Sequence, residues 1–216
     1  MPDDLDALFE VLGDPVAMRY YPAPFDRDRV AAWIEWARQS CREHGFGLWA
    51  VIRRSDGQFL GDCGPMLQPV EGQLIPEVGY HIVPAEQGRG YATEAARACV
   101  AWVFGNTSFS TVCSLVAPDN APSRAVAAKV HPAMREFTWA RNNKVMCLYW
   151  TDRAGVKRRG PQRGMERLQP GPLGTVSVVD LAGLDSPPAS APPASTPAPA
   201  TASSRSFRSG TAPNAV

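Results

Sequence analysis

The sequence predicts an α/β fold, and three observations carry that prediction. Runs with apolar residues at helical spacing alternate with β-branched runs bounded by turn residues. The stretch Pro76 to Ala92, PEVGYHIVPAEQGRGYA, passes from a strand through a glycine-rich turn straight into a helix. Two further pairs of strand-like runs are joined by hairpin turn chemistry. With 44% hydrophobic residues in a chain of 216, one medium domain with a core and a tail is expected.

Asp3 and Asp4 precede Leu5, Leu8, Phe9 and Leu12, a helical face that Gly13-Asp14-Pro15 stops. Asp26 and Asp28 are N-cap candidates for a longer helix with Val30, Trp33, Ile34, Ala37 and Cys41 on one face and Gly45 at its end. Leu48 to Ile52 and Phe59 to Leu67 read as a hairpin across Ser55-Asp56-Gly57-Gln58, and pairing continues through Glu77 to Val83. After the glycine turn, Tyr91 to Phe104 places Ala92, Ala95, Ala96, Cys99 and Val103 on one side, small enough to lie close on a sheet. Thr111 to Val116 is a strand ended by Pro118, Ser123 to Val130 is helical, and His131-Pro132 breaks it. Glu136 to Arg141 and Lys144 to Trp150 flank Asn142-Asn143 as a last hairpin.

From about Arg153 the chain turns basic, with Lys157, Arg158, Arg159, Arg163 and Arg167, and Leu184 to Val216 is dominated by Pro, Ala, Ser and Thr. Such a tail is expected to be disordered, apart from Thr175 to Asp180, whose β-branched content would pair with an open sheet edge. The domain is thus expected over residues 1–153 and the tail over 154–216. A net charge of +1 gives no global reason to bind nucleic acid or an anionic membrane surface. Cysteines 41, 63, 99, 113 and 147 show no CxxC pair and sit mostly in apolar runs, so buried free thiols in a reducing compartment are expected, with no metal site. Neither a signal peptide nor a membrane span is visible, which makes the cytoplasm the expected location.

The glycine turn reads as a phosphate cradle: a helix N-terminus offers unpaired N–H groups and the positive dipole end, and Gly88 and Gly90 remove Cβ atoms from the approach. With strand, Gln87-Gly88-Arg89-Gly90-Tyr91-Ala92, helix, strand, and then Asn120-Ala121-Pro122-Ser123 opening another helix, the chain resembles the GNAT (Gcn5-related) N-acetyltransferase superfamily. Glu77-Val78-Gly79-Tyr80, Gly90-Tyr91-Ala92-Thr93-Glu94-Ala95, and the spacing of Asn120, Ser123, Val126 and Lys129 resemble its RimJ/RimL-type branch. That resemblance covers roughly Pro2 to Arg153 and implies a mixed, mostly antiparallel sheet flanked by helices. Proteins of the branch begin with a strand of the type RLxLRxxxxxD, which is missing here; a truncated start site is the expectation, with TVSVVD or a second copy of the chain, as a homodimer, as the other ways to cover the edge. At His131-Pro132-Ala133-Met134 the family has Gly-Met or Gly-Phe, which implies a reshaped loop.

The resemblance implies acetyl-CoA as co-substrate, with Gln87, Gly88, Arg89, Gly90, Tyr91 and Ala92 around its pyrophosphate. It also implies Val78, Gly79 and Tyr80 with Asn120 and Ser123 along the pantetheine arm. Glu77 is the candidate general base, the alternative being a solvated strand carboxylate or ion-pair partner. Gly79 either permits a local distortion or relieves a packing clash, and Arg89 is either a phosphate ligand or a solvated loop arginine. The family's tyrosine acid would align with Ala127, so Ser123, a water or no acid at all would serve the leaving thiolate. His81 lies too far along the strand from Glu77 to pair with it directly. Acceptor selection is expected from the two N-terminal helices, the loop Leu67 to Ile75 and the last hairpin, with Tyr20, Tyr21, Trp36 and Trp139 open as pocket residues and Trp33 expected in the core. The resulting reading is transfer of an acetyl group to a protein N-terminus or small amine by direct attack. The alternatives are a non-catalytic acyl-CoA-binding or regulatory protein, or an interaction protein that works through its tail.

Overall fold

The computed structural model of the chain describes residues 4–140, 143–155 and 175–178. Its elements run α1 (Asp4–Leu12), α2 (Arg27–His44), β1 (Trp49–Arg53), β2 (Phe59–Val70), β3 (Gln73–Ile82), α3 (Tyr91–Asn106), β4 (Thr111–Val116), α4 (Ala121–Val130), β5 (Ala133–Trp139), β6 (Lys144–Asp152) and β7 (Thr175–Val178). They form one seven-stranded sheet in the order β5-β6-β4-β3-β2-β1-β7. Pairing is antiparallel except between β3 and β4 and between β1 and β7, so the sheet is mixed and mostly antiparallel.

The ends of α2 show how local chemistry sets an element. Asp26 accepts the Arg29 N–H at 2.8 Å, a cap generally worth about 1 kcal/mol. Gly45, at φ 78°, turns the chain out of the helix while its N–H donates to the Cys41 carbonyl. The Ala-rich stripe of α3 buries Ala95, Ala96, Cys99, Val100 and Val103 against Val51, Leu60, Cys63, Val78 and Val112. On the opposite sheet face α1 and α2 pack Leu8, Leu12, Val30 and Trp33 with Met66 of β2. Alternation along β3 therefore sends Val78 and Ile82 toward α3, and Gly79 and His81 toward α1 and α2. Among the described residues no helix is long and apolar enough to cross a membrane.

One expectation changes and another is met. The stretch Leu67 to Ile75 is not a loop: β2 continues to Val70 and β3 begins at Gln73, across a turn in which Glu71 and Gly72 have φ of 50° and 81°. Pro69 and Pro76 mask the facing ends of these strands in sequence, because proline ordinarily punctuates a ladder. The edge beside β1 is covered by Thr175–Val178, which runs parallel to it with Ala50 opposite Thr175 and Arg53 opposite Val178. Met1 to Asp3, the Asn142 half of the last turn, and the tail at 156–174 and 179–216 lie outside the described residues.

Candidate active site

β3 and β4 share one ladder pair, Glu77 with Cys113, and then separate. Backbone groups that a longer ladder would have paired need other partners. Ser114 Oγ–H donates to the Val78 carbonyl at 2.8 Å, and the Leu115 N–H donates to Glu77 Oε1 at 3.3 Å. The fork opens into a cavity of about 390 Å³, with Glu77 to Ile82 along one arm and Ser114 to Ala117 along the other.

Behind the fork, His131 is buried, with Nε2 3.2 Å from Ser114 Oγ and Nδ1 2.9 Å from Thr151 Oγ1. Because the Ser114 proton goes to Val78, Nε2–H donates to Ser114 Oγ and Nδ1 accepts from Thr151. Burial lowers the imidazole from its ordinary 6.5 to about 4, so it works as a neutral strut.

The glycine turn closes one end of the cavity. Gly88 and Gly90 have φ of 77° and 95°, a conformation that costs an L side chain about 1–2 kcal/mol, and open space surrounds the position of a Cβ at either residue. Gly90 is also the N-cap of α3, which makes no side-chain cap bond. The α3 dipole and the first-turn amides of Tyr91, Ala92 and Thr93 lie at the cavity, which suits an anion. Gln87 lines this end too, but its amide donates to the Ile82 carbonyl at 2.9 Å and bolts the turn to β3. Arg89 stands outside the lining: its side chain is 59% exposed and paired at 3.2 Å with Glu86, which also pairs with Arg53 at 3.1 Å. It is the brace of the turn rather than a group aimed into it.

On the neighbouring helix, Asn120 Oδ1 accepts the Ser123 N–H at 3.2 Å and caps α4, and both residues line the cavity. The Tyr80 phenol crosses from β3 to donate to the Ser123 carbonyl at 2.8 Å, and burial raises its pKa well above the ordinary phenol. Ala127 is fully buried against Val116, Cys147 and Tyr149, so that helix position faces the sheet, while Pro122, Ser123, Val126 and Lys129 face the cavity. A Cβ on Gly79 would sit 2.7 Å from Met66 Cε, the far end of a flexible side chain that can swing aside.

The cavity is also lined by Arg19, Tyr20, Tyr21, Trp33 and His81. Asp62 stands directly across from His81 in the β2–β3 register, with Oδ1 2.6 Å from His81 Nδ1. Its Oδ2 accepts the Trp33 indole N–H at 3.0 Å, and His81 Nε2 is 2.6 Å from the Tyr21 hydroxyl. Trp33 is core, 1% exposed, as its helical stripe implies, but its N–H serves this network as well. Sequence reasoning missed Asp62; the available signal was a lone carboxylate inside an apolar strand, a residue type rarely buried without a partner. Trp139 is 3% exposed and donates to the Pro69 carbonyl at 3.2 Å, mainly a core role.

The sequence matches the family described as the acetyltransferase (GNAT) domain over residues 1–131. A Bacillus subtilis (strain 168) relative, the uncharacterized protein YkkB, is 36% identical over 128 residues, which is 59% of this chain and 74% of the relative. Among solved structures, an acetyltransferase from Agrobacterium tumefaciens str. C58 superimposes with a TM-score of 0.60 at 23% identity, covering 71% of this chain and 87% of that one. The aminoglycoside acetyltransferase AAC(6')-Ib in complex with coenzyme A gives a TM-score of 0.59 at 15% identity, covering 73% and 94%. At those identities the structures establish the fold alone. With the family match spanning more than half its length, the chain belongs to the GNAT acetyltransferase family.

Proposed function

We propose that the protein is an acetyl-CoA-dependent N-acetyltransferase of the RimJ/RimL type, acting on a primary amine. The observation that carries the reading is the α3 N-terminus, free of a side-chain cap, opening onto a cavity that runs into the β3–β4 fork. Backbone amides from Gln87 to Ala92 would hold the pyrophosphate. Val78, Gly79 and Tyr80 on one side and Asn120 and Ser123 on the other would hold the pantetheine arm. When bound, the coenzyme supplies a thioester carbonyl open to amine attack. The branch assignment is supported by Glu77-Val78-Gly79-Tyr80 and Gly90 to Ala95.

Glu77 is 8% exposed and lines the cavity where the strands part. Its bond to Leu115 holds the mouth of the fork, and its charge draws an ammonium toward it. Ser123, or a water, would protonate the leaving thiolate, and the Tyr80 phenol, donating to the Ser123 carbonyl, would hold that helix turn in place. An amine acceptor is supported by the carboxylate and by AAC(6')-Ib, an aminoglycoside acetyltransferase of the same fold. A cytoplasmic location belongs to the proposal, supported by five cysteines that form no disulfide.

The test is calorimetric titration of acetyl-CoA followed by coenzyme thiol release with ribostamycin, spermidine and a peptide with a free N-terminus. Saturable binding and thiol release dependent on one of these amines are expected. Binding without release from any of them would favour an acyl-CoA-binding protein that does no chemistry.

A further inference from the structure

Asp62, His81 and Tyr21 form a hydrogen-bonded chain whose last two members line the cavity. Its hydrogen-bond directions follow from the partners. An ionised carboxylate only accepts, so His81 Nδ1–H donates to Asp62 Oδ1 across 2.6 Å. In the neutral ring Nε2 then carries the lone pair and accepts the Tyr21 O–H, also at 2.6 Å. Burial, reinforced by Asp62, Glu77 and Tyr80, raises the Tyr21 pKa far above an ordinary phenol, so the hydroxyl keeps its proton for this bond. With that proton directed to His81, the Tyr21 oxygen offers acceptor capacity to whatever enters the cavity that Tyr21 and His81 line.

Stability alone is a weak reason for this arrangement. Asp62 is 4% exposed, and buried charged or strongly polar pairs are commonly no better for stability than apolar residues of equal volume. The groups facing the chain come from four places: Asp62 on β2, Glu77 and Tyr80 on β3, Trp33 on α2, and Tyr21 on the α1–α2 connection. Trp33 donates to the second Asp62 oxygen and packs edge-on against the imidazole with ring centroids 6.0 Å apart, so carboxylate and ring are both held in place.

We propose that Tyr21, His81 and Asp62 form the relay that removes a proton from the attacking amine, a role that rests on the acetyltransferase reading above. A primary ammonium in the cavity donates to the Tyr21 oxygen. As that proton transfers, the Tyr21 hydroxyl proton passes to His81 Nε2. The products are a neutral amine, a neutral phenol and an imidazolium whose Nδ1–H remains bonded to the Asp62 carboxylate. Only N–H and O–H bonds are exchanged, and the proton leaves His81 for solvent after the acetylated product departs. Glu77, already bonded to the Leu115 N–H, acts on the ammonium through charge and leaves proton removal to the relay.

The experiment uses the full chain and its His81→Gln, Tyr21→Phe and Glu77→Gln variants, each checked first for acetyl-CoA binding by calorimetry. Thiol release with ribostamycin, spermidine and the free N-terminal peptide is then followed against pH. For His81→Gln and Tyr21→Phe, kcat should fall by about 10²–10⁴-fold near neutral pH, the usual range for a lost general base. The deficit should shrink as pH passes the amine's own pKa, because the amine then arrives unprotonated. Glu77→Gln should raise KM more than it lowers kcat. Nitrogen NMR of the histidines should show His81 in the Nδ1–H tautomer, a readout independent of turnover. Full activity and an unchanged pH profile in both relay variants, or an Nε2–H tautomer, overturns the relay and leaves the acetyltransferase reading standing. Acetyl-CoA binding by the wild-type chain with no thiol release for any amine overturns both.

Discussion

Replacing His131 with glutamine should remove an acid-sensitive part of this protein's stability. The imidazole is 4% exposed and bonded as a neutral group to Ser114 and Thr151, and burial holds it at about 4 against 6.5 when unfolded. A folded-state value below the unfolded one means that the unfolded chain binds the proton first. The stabilisation is therefore complete above the unfolded value and is lost as pH falls from 6.5 toward about 4. At about 1.4 kcal/mol per pH unit, the acid limit of the loss is about 3 kcal/mol, and between about pH 7.5 and about pH 5 it is roughly 2 kcal/mol. Urea unfolding followed by tryptophan fluorescence at both pH values measures it. The stability gap between wild type and His131→Gln should narrow by that roughly 2 kcal/mol on acidification, while the pH-independent cost of the substitution cancels. A gap that stays constant or widens would refute the neutral-strut assignment.

Three further outcomes are expected. Gly64→Ala should lower the melting temperature sharply, since its Cβ would fall 2.0 Å from the Gly47 carbonyl oxygen, a backbone atom that cannot swing aside; a loss of at least about 2 kcal/mol is expected. Gly90→Ala, at φ 95° and with open space around its Cβ, should cost about 1–2 kcal/mol through backbone strain and weaken acetyl-CoA binding, read by chemical denaturation and calorimetry. Ending the chain after Gly155 removes β7 from the β1 edge and should increase self-association in size-exclusion chromatography with light scattering; a monodisperse, equally soluble product would show that the edge needs no cover.

The helices were legible in the sequence because their signals are local. The Asp26 cap, the Gly45 stop and the Ala95–Ala96–Cys99–Val103 stripe each act within a turn or two of chain, and each is present in the structure. The glycine turn was legible for the same reason: Gly88 and Gly90 need positive φ, and the helix start follows immediately. The far ends of β2 and β3 were not, since Pro69 and Pro76 read alone signal an interruption and only the β2–β3 ladder shows that they are tolerated.

What the sequence by itself determined is the α/β order, the anion-suited turn and the family resemblance, all carried by residues adjacent along the chain. Only the tertiary structure decided which distant groups meet. It placed Asp62 opposite His81 and brought Tyr21 to the same imidazole from 60 residues away. It also turned Arg89 toward Glu86 and set His131 behind the fork. The physical reason is that strand register and helix packing bring together side chains far apart in sequence, whereas capping, turn and periodicity signals act between near neighbours. The anion-suited turn rests on one strand–turn–helix, while the Asp62–His81–Tyr21 network draws on β2, β3 and the connection after α1.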